Sequence, residues 1–216
     1  MREKFNEQLK KLNSMMTEMG RDCDRVITLA REALIEGDTE KAKLVFEVDE
    51  DIDHMERDIE ALCMKLILRQ QPIARDLRQI SAALKMITDM ERIGDQAADI
   101  ADIIPHLQDR GAEQCRYITE MSAATQRMVT DAVDAYVEGD VSKAESVIAY
   151  DDIVDNYFID VKNSLSKTIS AGNEDGVVAI DFLMIAKYFE RIGDHATNIA
   201  EWVVYAVTGV HNGMEE

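Results

Sequence analysis

The pentapeptide Glu-Arg-Ile-Gly-Asp occurs twice in this chain, at Glu91–Asp95 and again at Glu190–Asp194, 99 positions later. It sits inside two longer similar stretches, Asp89 to Asp102 and Tyr188 to Trp202, which marks an internal duplication. Whatever fold one half adopts, the other must adopt too, so the 216 residues divide into two alike units, each the size of a small domain. Other matches extend the repeat. Glu36-Gly37-Asp38 recurs as Glu138-Gly139-Asp140, an offset of 102, and at that offset Asp49 falls on Asp151 and Asp53 on Asp155. The three-residue difference between the offsets falls between the second and third segments of each unit, where a duplicated fold tolerates a length change.

Each unit reads as three long helices. In the first, Phe5, Leu9, Leu12, Met16, Met19, Cys23, Val26, Ala30 and Ala33 alternate at four- and three-residue spacing, the seam of a bundle helix over 3–36. Gly37 stops it, and Asp38 or Thr39 can cap the next. A second helix over 40–69 carries the seam Val45, Val48, Ile52, Met55, Ile59, Leu62 and Leu66, and Gln70-Gln71-Pro72 breaks it. A third, over 73–104, carries Ala83, Met86, Met90, Ile93, Ala97, Ile100 and Ile104, with Pro105 and Gly111 bracketing its exit. The pattern restarts near Ala112, with Ala171-Gly172-Asn173 as the later break. The expected fold is all-α: two tandem three-helix bundles, 1–107 and 112–210, and a frayed tail over 211–216. Whether the units stack end to end or lie side by side is not readable at this level.

Composition agrees and excludes. Two prolines, ten glycines and 6% aromatics favour helices over sheets. With 43 acidic against 24 basic residues the net charge is −19, which argues against nucleic acid and against an anionic membrane surface. No segment is apolar enough to span a bilayer and the N-terminal residues form no signal region, so a cytoplasmic chain is expected. Cys23, Cys63 and Cys115 form no C-x-x-C pair and read as buried thiols.

The acids are patterned. At about 100° per residue, Glu190, Asp194, Asn198 and Glu201 share a sector roughly 80° wide. Glu91, Asp95, Asp99 and Asp102 do the same in the first unit. On the second helices, Asp49 with Asp53, and Asp151 with Asp155, are four apart and directly follow seam residues. Like charges at this spacing destabilise a bare helix by a few tenths of a kcal/mol per pair. A cation shared between the second and third helices would relieve that cost. Oxygen-only donors favour Mg, Mn, Ca or iron over zinc held by thiols. The candidate ligands are Asp49, Asp53, Glu91, Asp95, Asp99, Asp151, Asp155, Glu190, Asp194, Asn198 and Glu201. The plain alternative is a helical scaffold whose acids face water.

His54 and His195 follow acids but are not equivalent, and the Glu-x-x-His spacing of di-iron bundles is absent. Both read as surface or supporting residues. Arg92 and Arg191, beside the acids, are expected to form ion pairs within the bundle. No nucleophile elbow or Gly-rich phosphate loop is present, so an enzyme is not indicated.

Duplicated three-helix units, with D-x-x-x-D at Asp49–Asp53 and Asp151–Asp155 and E-R-I-G-D-x-A at Glu91–Ala97 and Glu190–Ala196, resemble the PhoU family. The resemblance spans about residues 1 to 210. It implies a cytoplasmic, commonly dimeric accessory protein of phosphate-specific transport that restrains the phosphate-starvation response. It implies as partners the nucleotide-binding subunit of the phosphate ABC transporter and a sensor histidine kinase. It also implies metal clusters on the E/D-x-x-x-D motifs. Asp99 and Asp102 depart from the pattern seen at Asn198 and Glu201, adding charge to the first unit. A metal-storage or metal-dependent carboxylate-bundle enzyme is the alternative.

Overall fold

The computed structural model describes residues 2–70, 72–107, 116–172 and 176–210, and among them every regular element is helical. The first unit contains α1 (Arg2–Glu36), α2 (Thr39–Gln70) and α3 (Ala74–Ile103); the second contains α4 (Arg116–Glu138), α5 (Val141–Ser170) and α6 (Gly176–Thr208). Gly111, Asn173, Cys115 and the tail over 211–216 lie outside the described residues.

The helix ends follow the residues expected to set them. Gly37 and Gly139 have φ of 67° and 65°, a left-handed conformation that costs a glycine nothing. Their turns let Asp38 N–H reach the Ala33 carbonyl at 2.9 Å and Asp140 N–H reach the Ala135 carbonyl at 2.9 Å, satisfying terminal carbonyls. The same aspartates then cap the next helices. Asp38 Oδ1 accepts from the N–H groups of Glu40 and Lys41 at 2.9 and 3.0 Å, and Asp140 Oδ1 accepts from that of Lys143 at 3.1 Å. One end differs from expectation: α3 stops at Ile103 and a 3-10 turn, Ile104–Leu107, follows. Pro105 has no N–H to continue the α pattern, and the tighter turn buries Ile104 and Leu107.

The seams are buried as their spacing requires. Leu12, Met16, Met19, Cys23 and Val26 on α1 are inaccessible, as are Val45, Ile52 and Ile59 on α2 and Met86, Met90, Ile93 and Ala97 on α3. In the second unit Phe182 and Phe189 of α6 are the largest fully buried side chains. No described helix is long and apolar enough to cross a membrane.

The two units lie side by side. Arg78 lies against Gly209, Asp89 bonds Asn198 and Asp99 faces Tyr188, so α3 and α6 run antiparallel along their shared length. Asn13 bonds Tyr136 at 3.0 Å and Asp24 bonds Gln126 at 3.1 Å, so α1 and α4 are antiparallel too. Two antiparallel crossings of equivalent helices relate the repeats by a pseudo-two-fold axis. Helices α2 and α5 flank the central α3–α6 pair, each packed chiefly within its own unit. Polar residues bridge the α1–α4 crossing: Gln126 Nε2 donates to Asp24 Oδ1 and, at 2.8 Å, to Thr28 Oγ1.

Candidate metal centre

The first acidic cluster forms where α2 lies on α3. Val48 and Ile52 are buried in that contact, which draws the intervening Asp49 to its edge and leaves Asp53 one turn further along. Gly94 makes the approach possible. A Cβ built there would stand 2.5 Å from Asp49 Oδ1 and 3.3 Å from Ile52 Cδ1. The small residue of Glu-Arg-Ile-Gly-Asp therefore holds open a recess for the Asp49 carboxylate. Asp49 Oδ1 is buried there with no hydrogen-bond partner, a costly state for a carboxylate oxygen.

The electrostatics follow. Burial first, then the charges of Asp53, Asp95, Glu91 and Asp99, push the Asp49 carboxyl up to about 6. Burial and Asp95 raise Glu91, against the pull of Arg92. Burial and Asp95 also raise Asp99, against the pull of Arg191 on α6. Four of the first unit's candidate ligands, Asp49, Asp53, Glu91 and Asp95, thus feel one another's charge from two helices.

The second cluster repeats this at α5 and α6. Burial and then Asp155 raise the Asp151 carboxyl, with the Thr197 hydroxyl beside it acting in the opposite sense. Burial, then Glu190 and Asp151, raise Asp194, and Lys187 opposes them. Gly193 is less tight than its counterpart: a Cβ there would be 3.4 Å from Val154 Cγ1 and 3.7 Å from Asp151 Oδ1.

Each cluster also contains a cation from the chain itself. Arg92 Nη1 bonds Asp95 Oδ2 at 2.7 Å and its Nε lies 3.4 Å from Glu91 Oε2. Lys187 Nζ pairs with Glu190 and stands 5.6 Å from the centre of the Phe158 ring. These pairs draw the acids aside, and among the described residues no three His, Cys, Asp or Glu side chains close around a point that could hold a metal. The donor set nevertheless suits a hard cation: oxygen only, four carboxylates per cluster, and one buried oxygen without a donor.

The remaining candidates are placed elsewhere. Asn198 Nδ2 donates to Asp89 Oδ1 at 3.0 Å, and His195 Nδ1 shares that oxygen at 2.9 Å, so both face α3 across the junction of the repeats. Asp99 sits at the equivalent place, facing Tyr188 and Arg191. Glu201, one turn beyond Asn198, is half-buried on α6. His54 is exposed and bonds the carbonyl of Glu50 on its own helix. Arg92 makes the ion pair expected of it, with the acids themselves. Sequence reasoning overlooked Asp89, Lys187 and Phe158. Lys187 precedes Glu190 by three residues, a helical pairing distance that was there to be found. Its counterpart is Thr88, so a search for repeated residues passes it over.

Comparison with known proteins agrees with the duplicated three-helix architecture. The PhoU domain model matches twice, over residues 16–104 and 118–203, one match in each three-helix unit. A phosphate-specific transport system accessory protein PhoU homolog of Clostridium acetobutylicum is 37% identical over 207 residues, covering 95% of this chain and 94% of its own. The homolog of Pseudomonas aeruginosa is 35% identical, over 96% of this chain and 86% of its own. Among solved structures, PhoU from Pseudomonas aeruginosa has a TM-score of 0.88 at 34% identity, covering 95% of this chain and all of its own. The phosphate transport system regulatory protein PhoU from Streptococcus pneumoniae also scores 0.88, at 27% identity over 96% of this chain and 98% of its own. With both repeats matched and relatives above a third identical over nearly the whole length, the chain belongs to the PhoU family.

Proposed function

We propose that this protein is a PhoU-type accessory protein of phosphate-specific transport, a non-catalytic cytoplasmic adaptor that restrains the phosphate-starvation response. It would couple the nucleotide-binding subunit of a phosphate ABC transporter to a sensor histidine kinase, acting as a homodimer. The observation that carries the reading is the pair of equivalent carboxylate clusters at the α2–α3 and α5–α6 contacts, in a chain alike from end to end to phosphate-specific transport accessory proteins.

In this reading Asp49, Asp53, Glu91 and Asp95 would hold one hard cation or cluster, and Asp151, Asp155, Glu190 and Asp194 a second. A cation there supplies charge neutralisation and a cross-link between helices. The protein's own part is positional. Ile52 and Gly94 set the Asp49 carboxylate in its recess, and Arg92 and Lys187 balance part of the acidic charge and would give way to a stronger cation. An acidic surface of this kind suits basic surfaces on its partners.

Elemental analysis tests the cation. Wild-type protein should carry Mg, Mn or iron, and Glu190→Ala/Asp194→Ala and Glu91→Ala/Asp95→Ala should each lose part of it. Equal and negligible metal in all three leaves a plain helical scaffold. Co-purification with the transporter subunit and the kinase tests the adaptor role, and binding to neither defeats it. Turnover of iron or a phosphoester that vanishes on Asp194→Ala would make the protein a carboxylate-bundle enzyme instead.

A further inference from the structure

We infer that the cleft where the start of α3 and the ends of α4 and α6 meet α1 is a binding site for a small monoanionic carboxylate with an apolar body. The cleft has a volume of about 320 Å³ and takes side chains from all four helices. Asn13 of α1, Gln79 of α3 and Tyr136 of α4 form a polar wall; Val203, Ala206 and Val207 of α6 form an apolar one. Arg75, exposed on the first turn of α3, also lines it. The polar wall is held together through one atom. Asn13 Oδ1 accepts from the Tyr136 hydroxyl at 3.0 Å and from Gln79 Nε2 at 3.2 Å, which fixes three side chains from three helices and leaves the Asn13 amide nitrogen free to donate. Tyr136 is only 9% exposed and Gln79 is half-buried, so neither is an ordinary surface group.

The opposite end of the pseudo-two-fold shows what the fold itself requires there. Tyr136, Gln79, Val203 and Ala206 correspond to Leu34, Val178, Ile104 and Leu107. Those four apolar side chains are all buried. Asn13 and Arg75 correspond in sequence to Cys115 and Glu174. Of the polar lining only Glu138 is shared, with Glu36. A corner that packs with Leu and Val in one place carries a hydrogen-bonded Tyr, Gln and Asn in the other, and core packing does not explain the exchange.

Charge selects the head of the ligand. In a chain with 43 acids, neither Arg75 nor Arg78 makes an ion pair among the described residues. Arg78 packs its guanidinium against Gly209, and its Nε is buried with no acceptor, so it adds positive charge at this end of α3. The acid of the cleft is already balanced, since Glu138 Oε2 lies 2.7 Å from Lys143 Nζ. The exposed Arg75 offers a planar fork that a carboxylate meets with two hydrogen bonds. A dianion would have that one accessible guanidinium to set against the field of a chain with net charge −19, so a monoanion is favoured. The valine wall suits an alkyl or aromatic body. This inference is independent of the cation reading, since no member of either acidic cluster lines the cleft.

The test uses the full chain with benzoate, benzyl alcohol and inorganic phosphate as probes. Benzoate should shift the methyl resonances of Val137, Val203 and Val207 saturably, and bind at least tenfold more tightly than either of the others. Arg75→Glu, which imports the residue of the second repeat at an exposed position, should weaken benzoate at least tenfold with the thermal melt unchanged. Lys162→Glu makes the same change of charge on α5, which contributes nothing to the cleft, and should leave the affinity as in wild type. Tyr136→Leu/Gln79→Val should abolish benzoate binding, and Arg75→Glu carries the test alone if that buried pair of changes unfolds the protein. The inference fails if benzoate leaves those methyls unmoved, if benzyl alcohol binds as well, or if phosphate binds better. It fails as well if Lys162→Glu weakens benzoate as much as Arg75→Glu does, which assigns binding to overall charge. Metal content is expected to be the same in every variant.

Discussion

Gly94 and Gly193 occupy the same place in the repeated pentapeptide, yet a methyl group would meet different neighbours. At Gly94 it would press on Asp49 and Ile52; at Gly193 it would make ordinary contacts with Val154 and Asp151. In a helix interior alanine is favoured over glycine by about 1 kcal/mol, while overpacking costs about 1–3 kcal/mol. Gly193→Ala is therefore expected to leave the melting temperature unchanged or raised. Gly94→Ala should lower it relative to Gly193→Ala and push the Asp49 carboxylate out of its recess. Parallel thermal melts check the order, and a Gly94→Ala protein as stable as Gly193→Ala would show that Asp49 moves aside freely.

Asp49 also sets a pH dependence. Its carboxyl titrates near 6 in the fold against an ordinary value of 3.8, so between those values the folded state holds a proton that the unfolded state has released. Stability from this group is therefore present at acid pH and lost as pH rises through about 6. Metal-stripped protein is expected to melt a few degrees higher at about pH 5 than at about pH 7.5. Asp49→Asn should remove much of that difference, because the amide stays neutral at both. A pH response unaltered by Asp49→Asn would assign the effect to the general repulsion of the other acids.

At the scale of the helices, the chain announces its structure plainly in some places and hides it in others. The seams of α1, α2 and α3 and the Gly-Asp boundaries at 37–38 and 139–140 are readable because periodicity and left-handed turns admit few residue types. The boundary aspartates should matter in proportion to what they bond. Asp38→Ala and Asp140→Ala are each expected to cost about 1 kcal/mol in denaturant unfolding, the usual worth of an N-cap. No loss for either would mean that solvent serves those N–H groups equally well. The 3-10 turn after α3 was not foreseen, since Pro105 forbids one hydrogen bond without saying how the chain proceeds. The acidic rows were legible as rows, but their division was not. Asp95 and Asp99 share a sector of α3, yet one turn of helix carries the first toward α2 and the second toward α6. Only the positions of the neighbouring helices decide that.

For the whole molecule, the side-by-side arrangement was illegible because the junction is bordered by polar residues that look like surface. Asp89, Asp99, His195 and Asn198 carry no apolar signal, yet His195 and Asn198 bond Asp89 across it. Their identities matter for pairing. In the antiparallel α3–α6 contact Asp89 meets Asn198 and His195, and Asp99 meets Tyr188 and Arg191. If two copies of the first unit paired through α3 in the same register, Asp89 of one would stand opposite Asp99 of the other, twice per dimer. Like charges so placed near a surface cost on the order of 1 kcal/mol or more per pair. The acids at both places on α3 thus favour pairing of the first unit with the second over pairing with itself. Separately produced fragments 1–107 and 112–210 are accordingly expected to form a one-to-one complex on mixing, seen by native mass spectrometry, in preference to two homodimers. In the fragment 1–107, Asp89→Asn/Asp99→Asn should remove the repulsion and shift the population toward a homodimer. If the unaltered first fragment forms a homodimer as readily as the complex, the polar pairs do not govern recognition between the halves, and apolar packing of α3 against α6 suffices.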